Sequence, residues 1–366
     1  MKKNLSPEVS ELMNVVHYRP AVSIIVPFET KMGLKAEARH ELKFLYDQVE
    51  RQLLDQYPVE LAQPVLQKIQ RMIDSLSPDS RRKGVAIYAS PVFEKLLYLD
   101  VPVTQKIIIN DSFEIRDLVF SKKELHNYLL LSLSSETCKL YLGNSISLMP
   151  LKLDAPNFLD AYWHDEPERV ANFSDPEKYK EIQVEKLIRQ MDKELDQVLR
   201  THELPVFVVG SKPVLALFRS VTHHAKKVHS YIDGNYMEAT ESELIRAIQP
   251  GLEIWKKTRQ EKLLRLIEEA ANEKKLECGI QNVWHEVYQK KGRLLIVEKD
   301  FMAAGEHISS GTIVYKPTSR ENNFNQSIDV VDDAIELVLQ NGGDVEFVDN
   351  GFLWQFEHIA LIKFYH

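Results

Sequence analysis

Four short stretches of this 366-residue chain hold residue types that do chemistry. Arg81, Arg82 and Lys83 form the densest basic run, in SPDSRRKG, just before the apolar segment VAIYA. Guanidinium and ammonium groups at that spacing suit phosphate contacts, and equally a solvated turn. Residues 222–229 read THHAKKVH. His223, His224 and His229 are imidazole ligands by type, but no carboxylate or cysteine flanks them at metal-ligand spacing. The preferred reading is a polar helix end, with Lys226 and Lys227 available to phosphate. Trp163, His164, Asp165 and Glu166 place acids beside an imidazole, which is the material for proton transfer. The alternative is a tryptophan that anchors its own loop. Lastly, Gly342 and Gly343 precede Asp344, and a phosphate-gripping loop must be weighed against a helix end. Phosphate loops follow a strand and open a helix. Here the helical pattern comes first (Val331, Ala334, Ile335, Val338, Leu339), so the glycines are expected to be a structural turn that closes the helix and leads into the strand VEFV.

The whole chain bounds what these residues can serve. Its formal charge is −8, which argues against a general duplex binder and requires any nucleic-acid contact to use a local basic patch. No apolar run approaches the roughly 18 residues of a membrane helix, and the opening MKKNLSPEVSELMNVV lacks the apolar stretch of a signal peptide. Cys138 and Cys278 are too few and too far apart for a disulfide framework. A cytoplasmic protein is expected, with no cofactor.

The elements that must position these residues fall into three groups, and boundaries are expected near residues 122 and 255. In 1–122, the buried-type strand AVSIIVP is followed by helical patterns through Leu42, Leu45, Val49, Leu53 and then Leu66, Ile69, Ile73, Leu76. The strands VAIYA, KLLYL and 106–109 follow. In 123–255, the meander YLLLSL, KLYL, ISLMPL leads through a polar stretch to a helix striped by Val184, Leu187, Ile188, Met191, Leu195, Val198 and Leu199. The strand VFVVG and the helix 213–221 come next. In 256–366, a charged helix over about 252–274 precedes a helix at 280–288. The strands RLLIV and TIVY, the glycine-ended helix, VEFV and the closing IALIKFY complete it.

This order resembles the bacterial archaeo-eukaryotic release factor (baeRF) families, relatives of class 1 release factors and Pelota. PAVSIIVPFET, two helices and RRKGVAIYASP resemble that family's N-terminal α/β domain. NYLLLSLSSETCKLYLGNSISLM, a long helix and PVFVVGSKPVLALF resemble its RNase H-like middle domain. GRLLIV, DDAIELVLQNGGDVEFV and IALIKFY resemble its C-terminal α/β/α domain, which is like kink-turn-binding ribosomal proteins. The resemblance implies a three-domain α/β protein that binds the ribosome or ribosomal RNA, with a translational GTPase as a further partner.

The family's catalytic GGQ is absent: no glycine lies between Gly143 and Gly210, where it belongs. Glycines there let the backbone present the glutamine to the ester of peptidyl-tRNA. The corresponding stretch, 153–182, instead carries eight acids against three bases, which ribosomal phosphates should repel. The turn Gln56-Tyr57-Pro58-Val59-Glu60 likewise lacks the family's Asn-Ile-Lys-Ser stop-codon element. The expected function is therefore a ribosome-associated factor for rescue, hibernation or quality control, without catalytic residues. Arg81, Arg82, Lys83, Lys226 and Lys227 are its candidate RNA contacts, no metal site is expected, and Gly342 and Gly343 are structural. Two alternatives stand beside it: a hydrolase using the acidic loop 153–182, and a protein-binding adaptor. Nuclease chemistry would need acids at the strand ends of the middle domain, where Ser, Thr and Lys stand. No GxSxG elbow exists for a serine hydrolase.

Overall fold

A computed structural model describes residues 6–15, 19–28, 35–76, 82–124, 127–144, 147–153, 158–159, 176–201, 204–308, 312–315 and 328–365. Contacts divide the chain into two compact units. One combines residues 1–124 with 263–366; the other is 125–262. The first and third expected segments therefore pack together, although each keeps a sheet of its own.

The first segment contains α1 (Pro7–Asn14), β1 (Ala21–Pro27), α2 (Lys35–Gln56), α3 (Val59–Asp74), β2 (Gly84–Ala89), β3 (Glu94–Leu99), β4 (Lys106–Asn110) and α4 (Arg116–Glu124). Its antiparallel sheet runs β3-β2-β1-β4. β1 is central and covered on both faces, which is why its sequence is apolar, apart from the buried Ser23, with no alternation. Val22, Ile24 and Val26 meet Leu45, Val49 and Leu53 of α2 and Val65 and Ile69 of α3. Ala21 and Ile25 face the opposite way, into a core shared with the third segment.

The unit of residues 125–262 begins with β5 (Tyr128–Leu133), β6 (Cys138–Gly143) and β7 (Leu148–Pro150). It continues through α5 (Pro176–Thr201), β8 (Val206–Gly210), α6 (Lys212–Val221), a 3₁₀ turn at Ala225–Lys227, β9 (Val228–Asp233) and α7 (Glu241–Asn272). The sheet order is β7-β6-β5-β8-β9. β6 lies antiparallel to both β5 and β7, while β8 is parallel to both β5 and β9. This 3-2-1-4-5 arrangement is the RNase H-like order. Alternation along β5 assigns its faces: Leu129 and Leu131 pack under α5 and α6, while Tyr128 and Leu130 meet Leu244, Ile248 and Leu252 of α7.

α7 is longer than its sequence suggests. The expected helix starts at about 252, after Pro250 and Gly251, yet the helix begins at Glu241 and passes through both. Leu244, Ile248 and Leu252 are buried on either side of the proline, and that packing outweighs the lost backbone hydrogen bond. The division between the two units falls within this helix, at 262/263.

The third segment adds β10 (Leu276–Cys278), α8 (Ile280–Tyr288), β11 (Gly292–Glu298), β12 (Ala304–Ile308), β13 (Thr312–Tyr315), β14 (Ile328–Asp329), α9 (Val330–Gln340), β15 (Asp344–Val348) and β16 (Ile359–Lys363). Its main sheet runs β10-β16-β11-β15, with only β11 and β15 parallel; β13-β12-β14 forms a small second sheet. Val283 and Val287 of α8 and Ala334, Ile335 and Val338 of α9 cover one face of the main sheet. Leu263, Ile267 and Ala270 of α7 cover the other. The result is an α/β/α sandwich. No helix among the described residues is long and apolar enough to cross a membrane. Cys138 is buried, Cys278 is half-buried, and neither is in a disulfide.

Candidate nucleic-acid interface

The basic turn before β2 is only partly available to a ligand. Arg81 lies outside the described residues. Arg82 is half-exposed and its guanidinium is ion-paired with Asp100. Lys83 is exposed. Its backbone is fixed on both sides: its N–H donates to the Leu99 carbonyl at 3.0 Å, and its carbonyl accepts from Phe28 at 2.9 Å. The backbone of the lysine is thus fixed while its side chain is exposed, so of the described pair Lys83 is the more accessible.

In the other unit, Lys226 is exposed and Lys227 half-buried, both on the 3₁₀ turn that follows α6. The carboxylates that sequence spacing could not place beside the histidines come from α5, about thirty residues earlier. Asp192, nearly buried, accepts from the Thr222 hydroxyl at 2.6 Å and from the His223 backbone N–H at 3.2 Å. Its Oδ2 also lies 3.1 Å from His223 Nδ1. One turn on, Asp196 Oδ1 lies 3.6 Å from His224 Nε2 and Asp196 Oδ2 pairs with Arg200 at 2.7 Å. Asp192 therefore orients the turn that presents Lys226 and leaves His223 Nε2 facing solvent. No group of three or more His, Cys, Asp or Glu side chains able to hold a metal occurs among the described residues.

Of the acidic stretch 153–182, residues 153, 158–159 and 176–182 are among the described residues. Phe158 bridges Thr137, and Leu159 donates to the Glu136 carbonyl at 2.7 Å, which anchors the start of the stretch beside β6. Trp163, His164, Asp165, Glu166 and Glu168 lie outside the described residues. Past β9, an open cleft of about 620 Å³ is lined by Asn235, Tyr236, Met237, Glu238, Ala239 and Glu243. It follows the carboxyl ends of the parallel strands, where ligands of α/β sheets commonly bind. Its lining holds two acids and no cation, which does not suit phosphate.

Gly342 and Gly343 form the end of α9, with different tasks. Gly342 has φ +81°, the left-handed closing conformation, and a Cβ there would meet open space. The φ of Gly343 is not in that range. Its role is close approach, since a Cβ would lie 2.5 Å from the Gly292 carbonyl oxygen and 2.7 Å from Val338 Cγ1. Gly343 N–H donates to the Val338 carbonyl at 2.9 Å.

A cluster of perturbed titratable groups among the described residues is one that sequence reasoning missed. It lies in the unit of residues 1–124 and 263–366, between α4 and α9. Arg116 is only 2% exposed and its Nη2 lies 2.9 Å from Asp329 Oδ2. This is an ion pair by distance, although its angle does not make a hydrogen bond. Asp329 Oδ1 accepts from the backbone N–H groups of Ala303 and Val331. Asp332 accepts from Ile115 and Arg116 N–H, at 3.1 and 2.7 Å. Burial pushes Glu114 up to about 8, and the nearby Asp329 charge adds to the rise. Burial also raises Asp329, and it raises Asp332 well above the ordinary carboxylate range, with the Glu114 and Asp329 charges adding to that rise. The only advance signal was the row of acids Asp329, Asp332 and Asp333, which reads as dipole-favoured first-turn chemistry.

Glu336, further along α9, is raised to about 7, by burial first and then by the Asp333 charge. A carboxyl whose folded pKa exceeds its unfolded value holds an extra proton in the folded state. Its stabilising effect is therefore full below about pH 4.5 and lost as pH rises to about 7. Glu336→Gln should flatten that part of the stability profile by up to about 3 kcal/mol. Urea denaturation at a series of pH values measures it, and a variant profile parallel to wild type would contradict the assignment.

Comparison with known proteins gives a family-model match over part of the chain. Residues 127–291 match the model of bacterial archaeo-eukaryotic release factor family 3. No curated protein matches. Among solved structures the chain is similar to the archaeal translation termination factor aRF1, at 12% identity over 98% of this chain and 97% of that one, with a TM-score of 0.25. It is similar to archaeal Pelota from a ribosome-bound assembly with ABCE1, at 9% identity over 98% and 94%, TM-score 0.43. It is also similar to S. cerevisiae Dom34, described as a translation termination-like factor of RNA quality control, at 13% identity over 80% and 81%, TM-score 0.42.

Proposed function

With residues 127–291 of the release-factor-like family as the premise, we propose that this protein is a ribosome-associated translation factor of the cytoplasm. It acts in rescue, hibernation or quality control and does not hydrolyse peptidyl-tRNA. The observation that carries the reading is the family match, which spans the whole RNase H-like sheet. The absence of GGQ from that same stretch supports the reading that the protein does not itself release peptide. Purified protein should give no stop-codon-dependent release of peptide from a terminating ribosome. Release above background would overturn that part of the reading.

Ribosome contact is assigned to Arg81, Arg82, Lys83, Lys226 and Lys227. A chain of net charge −8 must bind through such patches, so affinity should fall steeply with salt. Replacing Lys226 and Lys227 together by Ala should lower the salt slope by up to about two. Replacing Arg81, Arg82 and Lys83 should lower it by about two rather than three, because Asp100 already neutralises Arg82. Cosedimentation with empty and stalled ribosomes across a salt series is the test. No pelleting at low salt with either ribosome would remove the ribosome from the proposal.

A further inference from the structure

An open sheet ends in two strands whose outer N–H and C=O groups have no neighbour, and such a row is a template for another chain. Folded proteins guard these edges by making them short, charged, irregular or covered. Among the described residues, five of the six edges of the three larger sheets are guarded in this way. β7 has three residues and ends in Pro150, and β10 has three. β3 opens with Glu94 and Lys95, which are ion-paired with Arg71 and Glu11. β15 carries Asp344 and Glu346, with Lys123 of α4 laid across them at 2.5 and 3.9 Å. β9 carries the exposed His229 and Asp233, and its register against β8 shifts between Val206 and Phe207.

The sixth edge, β4, has none of these devices. Its sequence is Lys-Ile-Ile-Ile-Asn, with no proline, and it follows β1 in unbroken antiparallel register from Ala21↔Asn110 to Ile25↔Lys106. Its one charge, on Lys106, is turned to Asp117 of α4 at 2.8 Å. In such a strand, successive residues turn their N–H and C=O groups alternately to either side. Those on the side of β1 are bonded to it, and those on the other side find no partner among the described residues. The side chains show the same deficit. β1 is buried at every position except Pro27, whereas all five residues of β4 are only half-buried. Ile107 and Ile109 lie against the core under α2 and α3 without being covered by it. Ile108 faces the other way, by the alternation of a strand.

The sequence of β4 is matched to itself. When two copies of a strand extend one sheet across a two-fold axis, side chains on the same face must come opposite each other. A residue then meets itself or one an even number of positions away. With all five residues paired, Lys106 meets Asn110, Ile107 meets Ile109, and Ile108 meets Ile108. Apolar side chains oppose apolar ones, and each half-buried isoleucine gains the neighbour its edge position denies it. The two Lys106 residues stand about 14 Å apart, four residues along a strand, so no like charges face each other.

We propose that β4 is the interface of a homodimer, in which the β4 strands of two copies pair antiparallel across a two-fold axis and join two four-stranded sheets into one. The contact is isologous, so it closes on itself and builds no fibre. An extended segment of another protein is the competing occupant. A second copy is favoured because it brings a strand of the right length and apolar pattern.

Sedimentation velocity of the full chain over about a hundredfold range of concentration tests the association. Wild type should shift toward twice the mass of one chain as concentration rises. Ile108→Lys sets two cations face to face at the axis and should stay monomeric while keeping the wild-type circular dichroism. Ile108→Cys tests the register. Opposed Cα atoms lie about 4.5–5.5 Å apart, within reach of a disulfide, so mild oxidation should link two chains. Asn110→Cys, about 14 Å from its own copy, should not be linked. Wild type, whose cysteines are Cys138 and Cys278, sets the background. A wild type that is monomeric at every concentration would overturn the dimer and leave β4 to another segment. A dimer that persists in folded Ile108→Lys would overturn it too, as would Ile108→Cys linking no more than Asn110→Cys. The wild-type and cysteine arms stand even where the lysine variant does not fold.

Discussion

Arg116→Ala should destabilise the unit of residues 1–124 and 263–366 by roughly 3–5 kcal/mol. The guanidinium is 2% exposed, and the Asp329 carboxylate it faces is nearly as enclosed. Deletion leaves Asp329 and Asp332 buried with only helix N-termini and backbone N–H groups to offset them. It also leaves a cavity between α4 and α9. Part of the cost depends on pH. Without the cation both carboxyls rise further in pKa, so they take up protons more readily as pH falls and the penalty shrinks. Truncating Arg189 or Arg200, whose partners lie one turn away on the exposed face of α5, should change stability by less than about 0.5 kcal/mol. Urea denaturation followed through Trp284, buried in the shared core, reads the first effect. A loss under about 1 kcal/mol for Arg116→Ala would mean that water or relaxation solvates the joint.

That joint also marks the limit of what the sequence discloses. Elements buried on both faces are legible because their composition is uniform. AVSIIVP, VFVVG and IALIK could hardly be anything but central strands, and all three are. The helix Val330–Gln340 and its glycine end were equally plain. Elements held by distant partners were not. α4, RDLVFSKKE, is not among the expected elements; it is a helix whose Leu118 and Val119 are buried in the core shared with α8, α9 and β11. β12, AGEHI, has glycine and charge within it and is held by pairing with β13 and β14. Pro250 hid the first part of α7. The charged cluster was out of reach for the same reason: Ile115 and Asp332 are 217 residues apart, and an isolated Arg or Asp in sequence looks like surface. At the candidate interface, spacing alone found the lysines but not the α5 carboxylates that orient them, because α5 and the 222–224 turn meet only through the fold.

The double glycine gives the second large effect, and the order of the two positions carries the argument. Gly343→Ala should cost about 2–3 kcal/mol, and Gly342→Ala about 1. Intuition from backbone angles gives the reverse, since only Gly342 has a positive φ. But a methyl group at 342 enters open space, so its cost is that of the left-handed conformation alone. A methyl group at 343 meets the Gly292 carbonyl oxygen at 2.5 Å and the Val338 carbonyl oxygen at 3.0 Å. Neither is the end of a flexible side chain. Gly292 opens β11, which pairs with both β15 and β16, so relief requires Asp344 and the start of β15 to move away from β11. That shift would loosen the Lys123–Asp344 ion pair and the seat of Val345 in the core. Urea denaturation of the two variants beside wild type decides it. A larger loss for Gly342→Ala would show that turn geometry, not the approach of β15 to β11, governs this corner. In either case folded Gly343→Ala should still pellet with ribosomes in proportion to its folded fraction; a folded variant that failed to pellet would make the turn part of the binding surface.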